Sequence, residues 1–185
     1  NPTCVDTLNT KANIASSLGL NEEATELFDQ CIQKYPHYLA FKWNKGLHCL
    51  LNGDYENGWQ LYEHGWNIKF RAKPRDLPSN LWLGESSLDG KTILLVGEQG
   101  YGDMIHFCRY AAKVKRLGAK VILEVPESLM ALMTTLEGVD EIISAWDPSI
   151  HIDFHCPLMS LPLAFQTKLE SIPNPIPYLS ADQDK

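Results

Sequence analysis

The alternation of apolar and polar positions is most regular in the second half of the chain. Thr92-Ile93-Leu94-Leu95-Val96 is a short apolar run set between Gly90 and Gly97, the mark of a strand buried on both faces. From about Asp103 to Leu117, Met104, Phe107, Cys108, Ala111 and Val114 fall on one side of a helix. His106, Arg109, Lys113 and Arg116 fall on the other, and Gly118 ends it. Lys120 to Val125 predicts a second strand, Pro126 to about Leu136 a second helix, and about Val139 to Ser144 a third strand. Ile150 to Cys156 fits a fourth strand and Pro157 to Phe165 a short helix, after which Pro173, Pro175 and Pro177 end regular structure. Strands and helices alternating over short connections predict a three-layer α/β domain around a parallel, Rossmann-like sheet.

The first seventy residues carry a different rhythm. Gly19 recurs as Gly53, Ala24 as Gly58, Phe28 as Tyr62 and Cys31 as Gly65, each 34 residues on, and Pro36 maps back onto Pro2. Glycine at a turn, small residues where helices cross, an aromatic between and a closing proline match the tetratricopeptide pattern. Residues 3–35 and 38–70 are therefore read as two helical hairpins, against an ordinary helical bundle as the alternative. Pro2 would close a preceding repeat and the chain does not begin with methionine, so a longer protein is expected. Trp59, Tyr62 and Trp66 stand at i, i+3 and i+7, one face of the last helix. That stripe predicts docking at a domain junction, with a platform for stacking sugars or bases as the weaker alternative.

Residues 71–90 read as a linker, rich in proline, glycine and serine and pinned by Trp82 at the junction. Charge adds exclusions. Basic and acidic residues number five and eight in 1–70, four and three in 71–91, and seven and twelve in 92–185. No basic field exists to gather phosphates, which argues against nucleic acid as a partner. No apolar run reaches the ~20 residues of a membrane span. Five cysteines without a C-x-x-C pair read as reduced thiols, and hence as a cytoplasmic protein.

Candidate chemistry gathers at the loop from Gly97 to Asp103, which joins a strand to a helix as ligand-binding loops of such sheets do. No Gly-Lys-Ser/Thr follows, and Ile105 stands where a dinucleotide fingerprint needs glycine. Asp103 is read either as a helix N-cap or as a base facing a neutral acceptor hydroxyl. His106 and Arg109 lie on the polar helix face near the same loop, as solvated residues or as substrate contacts. His151, Asp153 and His155 alternate so that a strand would project all three from one face, but nothing else supports a metal, and none is expected.

Several strings together resemble one family: Gly58-Trp59, Leu61-Tyr62-Glu63, Leu81-Trp82, Leu88-Asp89-Gly90-Lys91, Glu98-Gln99-Gly100-Tyr101-Gly102-Asp103, and the run from His155 to Phe165. The chain is similar to tetratricopeptide-repeat proteins whose C-terminal part is a GT-B glycosyltransferase-like module, itself distantly similar to the ADP-heptose lipopolysaccharide heptosyltransferases. The resemblance implies tetratricopeptide repeats in 1–70, a linker in 71–90, and the N-terminal half of a GT-B fold in 91–185. It places Gly102-Asp103 where the heptosyltransferases carry their proposed base, so Asp103 is the expected catalytic residue. Glu98, Gln99, Gly100, Gly102, His106, Arg109, His155 and Ser160 are the expected substrate contacts.

In that family the N-terminal half holds the acceptor and the C-terminal half the nucleotide-sugar. No resident cofactor is implied here, and the donor is expected on a second Rossmann domain that these residues do not include. The function expected is metal-independent sugar transfer to a glycan or protein hydroxyl, with this half alone inactive. The alternative is a protein- or peptide-binding scaffold built on the repeats, without catalysis.

Overall fold

Residues 5–68, 71, 77–98 and 100–181 are described by the structure, a computed structural model, and the chain divides into two units, Asn1–Pro74 and Arg75–Lys185. In the first, α1 (Val5–Ser17) and α2 (Asn21–Lys34) turn on Gly19, and α3 (Leu39–Leu51) and α4 (Tyr55–Tyr62) turn on Gly53. Both glycines hold a left-handed backbone, φ +73° and +82°, so the 34-residue recurrence is a recurrence of turn geometry. Helix α2 stops two residues before Pro36, and its acidic first turn and Lys34 complement the helix dipole. Asp54 caps α4 by accepting the Asn57 N–H at 3.2 Å.

The small residues mark close helix crossings. A Cβ on Gly58 would lie 2.7 Å from Leu50 Cδ2, and one on Gly46 would lie 2.9 Å from the Tyr62 nitrogen. Buried Phe28, Phe41 and Trp43 fill the spaces between, with the Trp43 and Tyr62 rings 4.5 Å apart. His48 is buried and ties three helices together. Its Nδ1 lies 2.8 Å from Ser16 Oγ and its Nε2 3.1 Å from Thr25 Oγ1.

The last helix departs from expectation. It was expected to run on toward residue 70, but α4 ends at Tyr62 and Glu63–Ile68 tightens into a 3-10 turn, where Gly65 packs on the Trp43 ring. Arg71, read from sequence as the first linker residue, is 3% exposed and closes this unit. It donates to Glu63 at 2.7 Å and lies 3.8 Å above the Trp66 ring and 4.8 Å above Tyr62. Trp59 meets Tyr62 edge-on, and Trp66 donates its ring N–H to Glu63 at 2.9 Å. The aromatic stripe thus builds a seat for Arg71 within the helical unit.

The second unit is a five-stranded parallel sheet in the order β1 (Asn80–Leu81), β5 (Phe154–Pro157), β2 (Thr92–Val96), β3 (Lys120–Glu124), β4 (Glu141–Ile143). Strand β1 lies inside the segment read as a linker. Trp82, which follows it, is 2% exposed, edge-on to Phe165 and bonded through its ring N–H to the Ser86 carbonyl. It is a core residue of the α/β unit. The helix expected from Asp103 to Leu117 starts earlier and is broken into α5 (Tyr101–Phe107), a 3-10 turn (Cys108–Tyr110) and α6 (Ala111–Lys115). The next helix, α7 (Glu127–Met133), is shorter than expected, and a 3-10 turn (Leu158–Ser160) and α8 (Leu161–Ala164) follow β5.

Side chains of successive strand residues point to opposite faces, and the two faces are covered differently. Ile93, Leu95, Val121 and Leu123 pack with Met104, Cys108, Val114, Leu129 and Met133 from the helices. Leu94 and Ile122, on the other face, meet Trp146, Ile150 and Ile152. The expected three-layer arrangement is therefore corrected: among the described residues the second face carries the coil 144–153 in place of helices. Right-handed crossovers put both β2–β3 and β3–β4 helices on one face, and the return from β4 to β5 on the other. That return contains Asp147-Pro148-Ser149, a turn sequence that no helix passes through, and the Trp146 ring N–H closes it on the Ile150 carbonyl at 3.1 Å.

Candidate functional site

From β2 the chain moves outward through β3 to β4, then returns to lay β5 on the other side of β2. The sheet order reverses between β2 and β5, and at the carboxyl ends of strands flanking such a switch point open α/β sheets receive their ligands. The loop leaving β2 carries Gly97, Glu98 and Gly100, and the loop leaving β5 carries Met159 and Ser160. A single carboxylate joins them: Glu98 Oε1 accepts the Met159 N–H at 3.0 Å. The Gly97 N–H is held by the Glu124 carbonyl at 2.9 Å, so the loop is anchored to β3 as well.

Asp103 stands in the first turn of α5, half-buried, but it is not the cap expected as one reading. Gly100 occupies the cap position, no side-chain cap bond forms, and the Asp103 carboxylate makes no hydrogen bond among the described residues. Its Oδ2 lies 3.4 Å from where a Gly100 Cβ would stand. The carboxylate therefore bends back over the loop, and glycine leaves the approach to it open. Nothing lies within 4 Å of the corresponding point on Gly102.

The other expected contacts are distributed unevenly. Glu98, Gly100, Gly102 and Asp103 share the β2–α5 loop and its first turn, and buried Ser160 lies in the 3-10 turn that follows β5. Gln99 lies outside the described residues. His106 follows one turn after Asp103; burial and then the Arg109 charge push its pKa below the usual histidine value, against a smaller upward pull from Asp103. Arg109 serves the chain itself. It donates to the Pro173 carbonyl at 3.3 Å and the Tyr178 hydroxyl at 3.1 Å, with its guanidinium 4.6 Å above the Tyr178 ring.

His155 pairs with Leu94, on the sheet face away from α5, and its Nδ1 lies 2.9 Å from Ser79 Oγ. Burial lowers its pKa, with a smaller upward effect from Ser79. The expected alternation of His151, Asp153 and His155 on one strand does not occur, because β5 begins only at Phe154. Asp153 instead accepts the Thr92 N–H at 2.8 Å and meets Lys91, while His151 is exposed.

Two features escaped sequence reasoning. Glu124, a buried acid, closes an apolar run at the carboxyl end of β3, and its place after Val121-Ile122-Leu123 was the available signal. Tyr101, 54% exposed, accepts a hydrogen bond from Ser128 at 3.0 Å; an aromatic between two glycines was its signal. The chain shows no significant match to any protein-family model, curated protein or solved structure.

Proposed function

We propose that the α/β unit is the acceptor-binding half of a GT-B glycosyltransferase-like module and that the helical unit is a pair of tetratricopeptide hairpins that engages a protein or peptide. One observation carries the enzymatic reading: the Asp103 carboxylate stands in the first turn after β2, at the end of the sheet where the strand order reverses, with no hydrogen bond to a described residue. A carboxylate so placed can take the proton of a bound hydroxyl. The acceptor oxygen then bonds to the anomeric carbon of the donor sugar, the nucleoside diphosphate leaves with the electron pair of the broken bond, and Asp103 returns the proton to solvent.

The donor's diphosphate belongs on a second domain. Residues 92–185 hold seven basic and twelve acidic residues, contain no phosphate-binding glycine loop, and set Asp103 in the turn a phosphate would approach. In the protein with its donor domain, Asp103→Asn slows transfer by about 10²–10⁴-fold. The fold is left intact, since Asp103 holds no cap bond. Wild-type turnover in that variant removes Asp103 from the mechanism. Calorimetric titration of this chain with UDP-, GDP- and ADP-sugars gives weak binding or none; micromolar affinity reverses the assignment of the halves.

Binding without chemistry is favoured by one feature, a cleft of about 530 Å³ on the helical unit lined by Ile32, Lys45, Asn52, Asn57, Gln60 and Leu61 among others. A peptide that binds this chain, together with no sugar transfer by the protein with its donor domain, would establish that reading instead.

A further inference from the structure

We infer that Tyr178 is a positioning residue for Asp103: its hydroxyl caps the C-terminal end of α5, the short helix whose first turn holds that carboxylate. The inference deepens the catalytic reading above and rests on it for the role of Asp103. The last carbonyls of a helix have no partner within it and need one from outside. Helix α5 meets that need early, because a 3-10 turn, Cys108–Tyr110, separates it from α6. A 3-10 stretch inside a helical run often marks a hinge. The partners come from a distant part of the chain. The Tyr178 hydroxyl, 73 residues further along, donates to the Ile105 carbonyl at 3.1 Å and accepts from Arg109 Nη2 at 3.1 Å. Arg109 Nε donates to the His106 carbonyl at 2.7 Å, and its guanidinium lies 4.6 Å above the Tyr178 ring. One tyrosine–arginine pair therefore holds two successive carbonyls at the end of α5.

The other end of α5 is held only by its own backbone. The Met104 N–H reaches the Gly100 carbonyl at 3.1 Å, Gly100 offers no side-chain cap, and the Asp103 carboxylate has no hydrogen bond among the described residues. Helical side chains lean toward the N-terminus, so the aim of this carboxylate follows the axis of α5. Met104, buried in the core at mid-helix, is the pivot of that axis. Seven residues give arms of about 5 Å on either side of it, and a tilt of about 12° moves each end by about 1 Å. A displacement of about 1 Å is enough to cost a catalytic group up to about 10²-fold in rate. The cap at Ile105 thus fixes the arm that Asp103 does not.

NMR of this chain reads the effect at Asp103 itself. Tyr178→Phe keeps the ring, and so its ring current, but removes both hydroxyl bonds. The Gly102 and Asp103 amide signals and the Asp103 carboxyl carbon are expected to shift. Exchange of the Met104 and Cys108 amides, which close turns of α5, should quicken about fivefold, the loss of one modest hydrogen bond. Tyr110→Phe is the control. It removes the Tyr110–Thr167 bond at 3.0 Å, which joins the chain after α8 to the 3-10 turn without touching a carbonyl of α5. That variant should melt at a lower temperature and leave the Asp103 signals in place. Dispersed spectra establish that both variants are folded. The inference falls if Tyr178→Phe leaves the Asp103 signals unmoved, whatever its melting temperature, or if Tyr110→Phe moves them equally. Asp103 signals that follow Tyr178, with sugar transfer indifferent to Asp103→Asn, leave the cap standing and remove the catalytic reading.

Discussion

Replacing Arg71 with alanine should loosen the whole end of the helical unit. Arg71 is 3% exposed, and its guanidinium lies 2.7 Å from Glu63 and 3.8 Å above the Trp66 ring. Breaking a buried ion pair by removing one partner costs about 3–5 kcal/mol, because the remaining charge is left desolvated. Glu63 retains 18% side-chain exposure and its bond from the Trp66 ring N–H, so it can recover part of its hydration. Loss of the cation–π contacts adds about 0.5–2 kcal/mol. These terms overlap, and a net loss of about 3 kcal/mol is expected for Arg71→Ala. Arg71→Lys keeps the charge but not the planar stack, and should lose about 1–2 kcal/mol. The assay is urea unfolding followed by tryptophan fluorescence, with amide exchange in α3 and α4 assigning the transition to this unit. A loss below about 0.5 kcal/mol for Arg71→Ala, the scale of an ordinary surface substitution, would refute the argument.

Two further outcomes follow from titrating groups. The Cys108 thiol is fully buried, and burial, slightly opposed by the Arg109 charge, pushes its pKa up to about 12. At pH 8 its alkylation in the native protein should be slower than in urea by about 10³-fold, read by mass spectrometry of the Cys108 peptide. Burial lowers the pKa of His155, and of His64 and His106, below the ordinary 6.5. The unfolded chain therefore binds these protons first as pH falls, so their contribution is complete above about 6.5 and is lost on passing down through the folded values. The urea midpoint should fall between pH 7.5 and 5, and His155→Gln should fall less steeply; equal slopes would remove His155 from the effect.

Residue types and spacings alone determined a good deal. Gly19 and Gly53 announced two identical turns, since only glycine takes that backbone without strain. The small residues at 46 and 58 announced close helix crossings, and Thr92–Val96 announced a strand buried on both faces. Sequence also drew attention to the β2–α5 loop, because it joins a strand to a helix N-terminus where such sheets bind ligands, and its carboxylate argued against a phosphate.

What sequence could not reach depends on partners far along the chain. Asn80–Leu81 has no strand signal of its own and is a strand only because β5, more than seventy residues later, offers it an edge. Arg71 looks like linker until the 3-10 turn brings Glu63 and Trp66 beneath it, and Trp82 looks like an anchor until Phe165 closes on it. Arg109 and His155 are polar residues near a loop in sequence, yet Tyr178 and Ser79 take one and fix the other on the far sheet face. The Glu98–Met159 bond forms because the β4–β5 return reverses the sheet order, and no local pattern encodes which side of β2 a later strand will take. Local propensity sets turns and periodicities; long-range pairing decides which polar groups remain for a ligand.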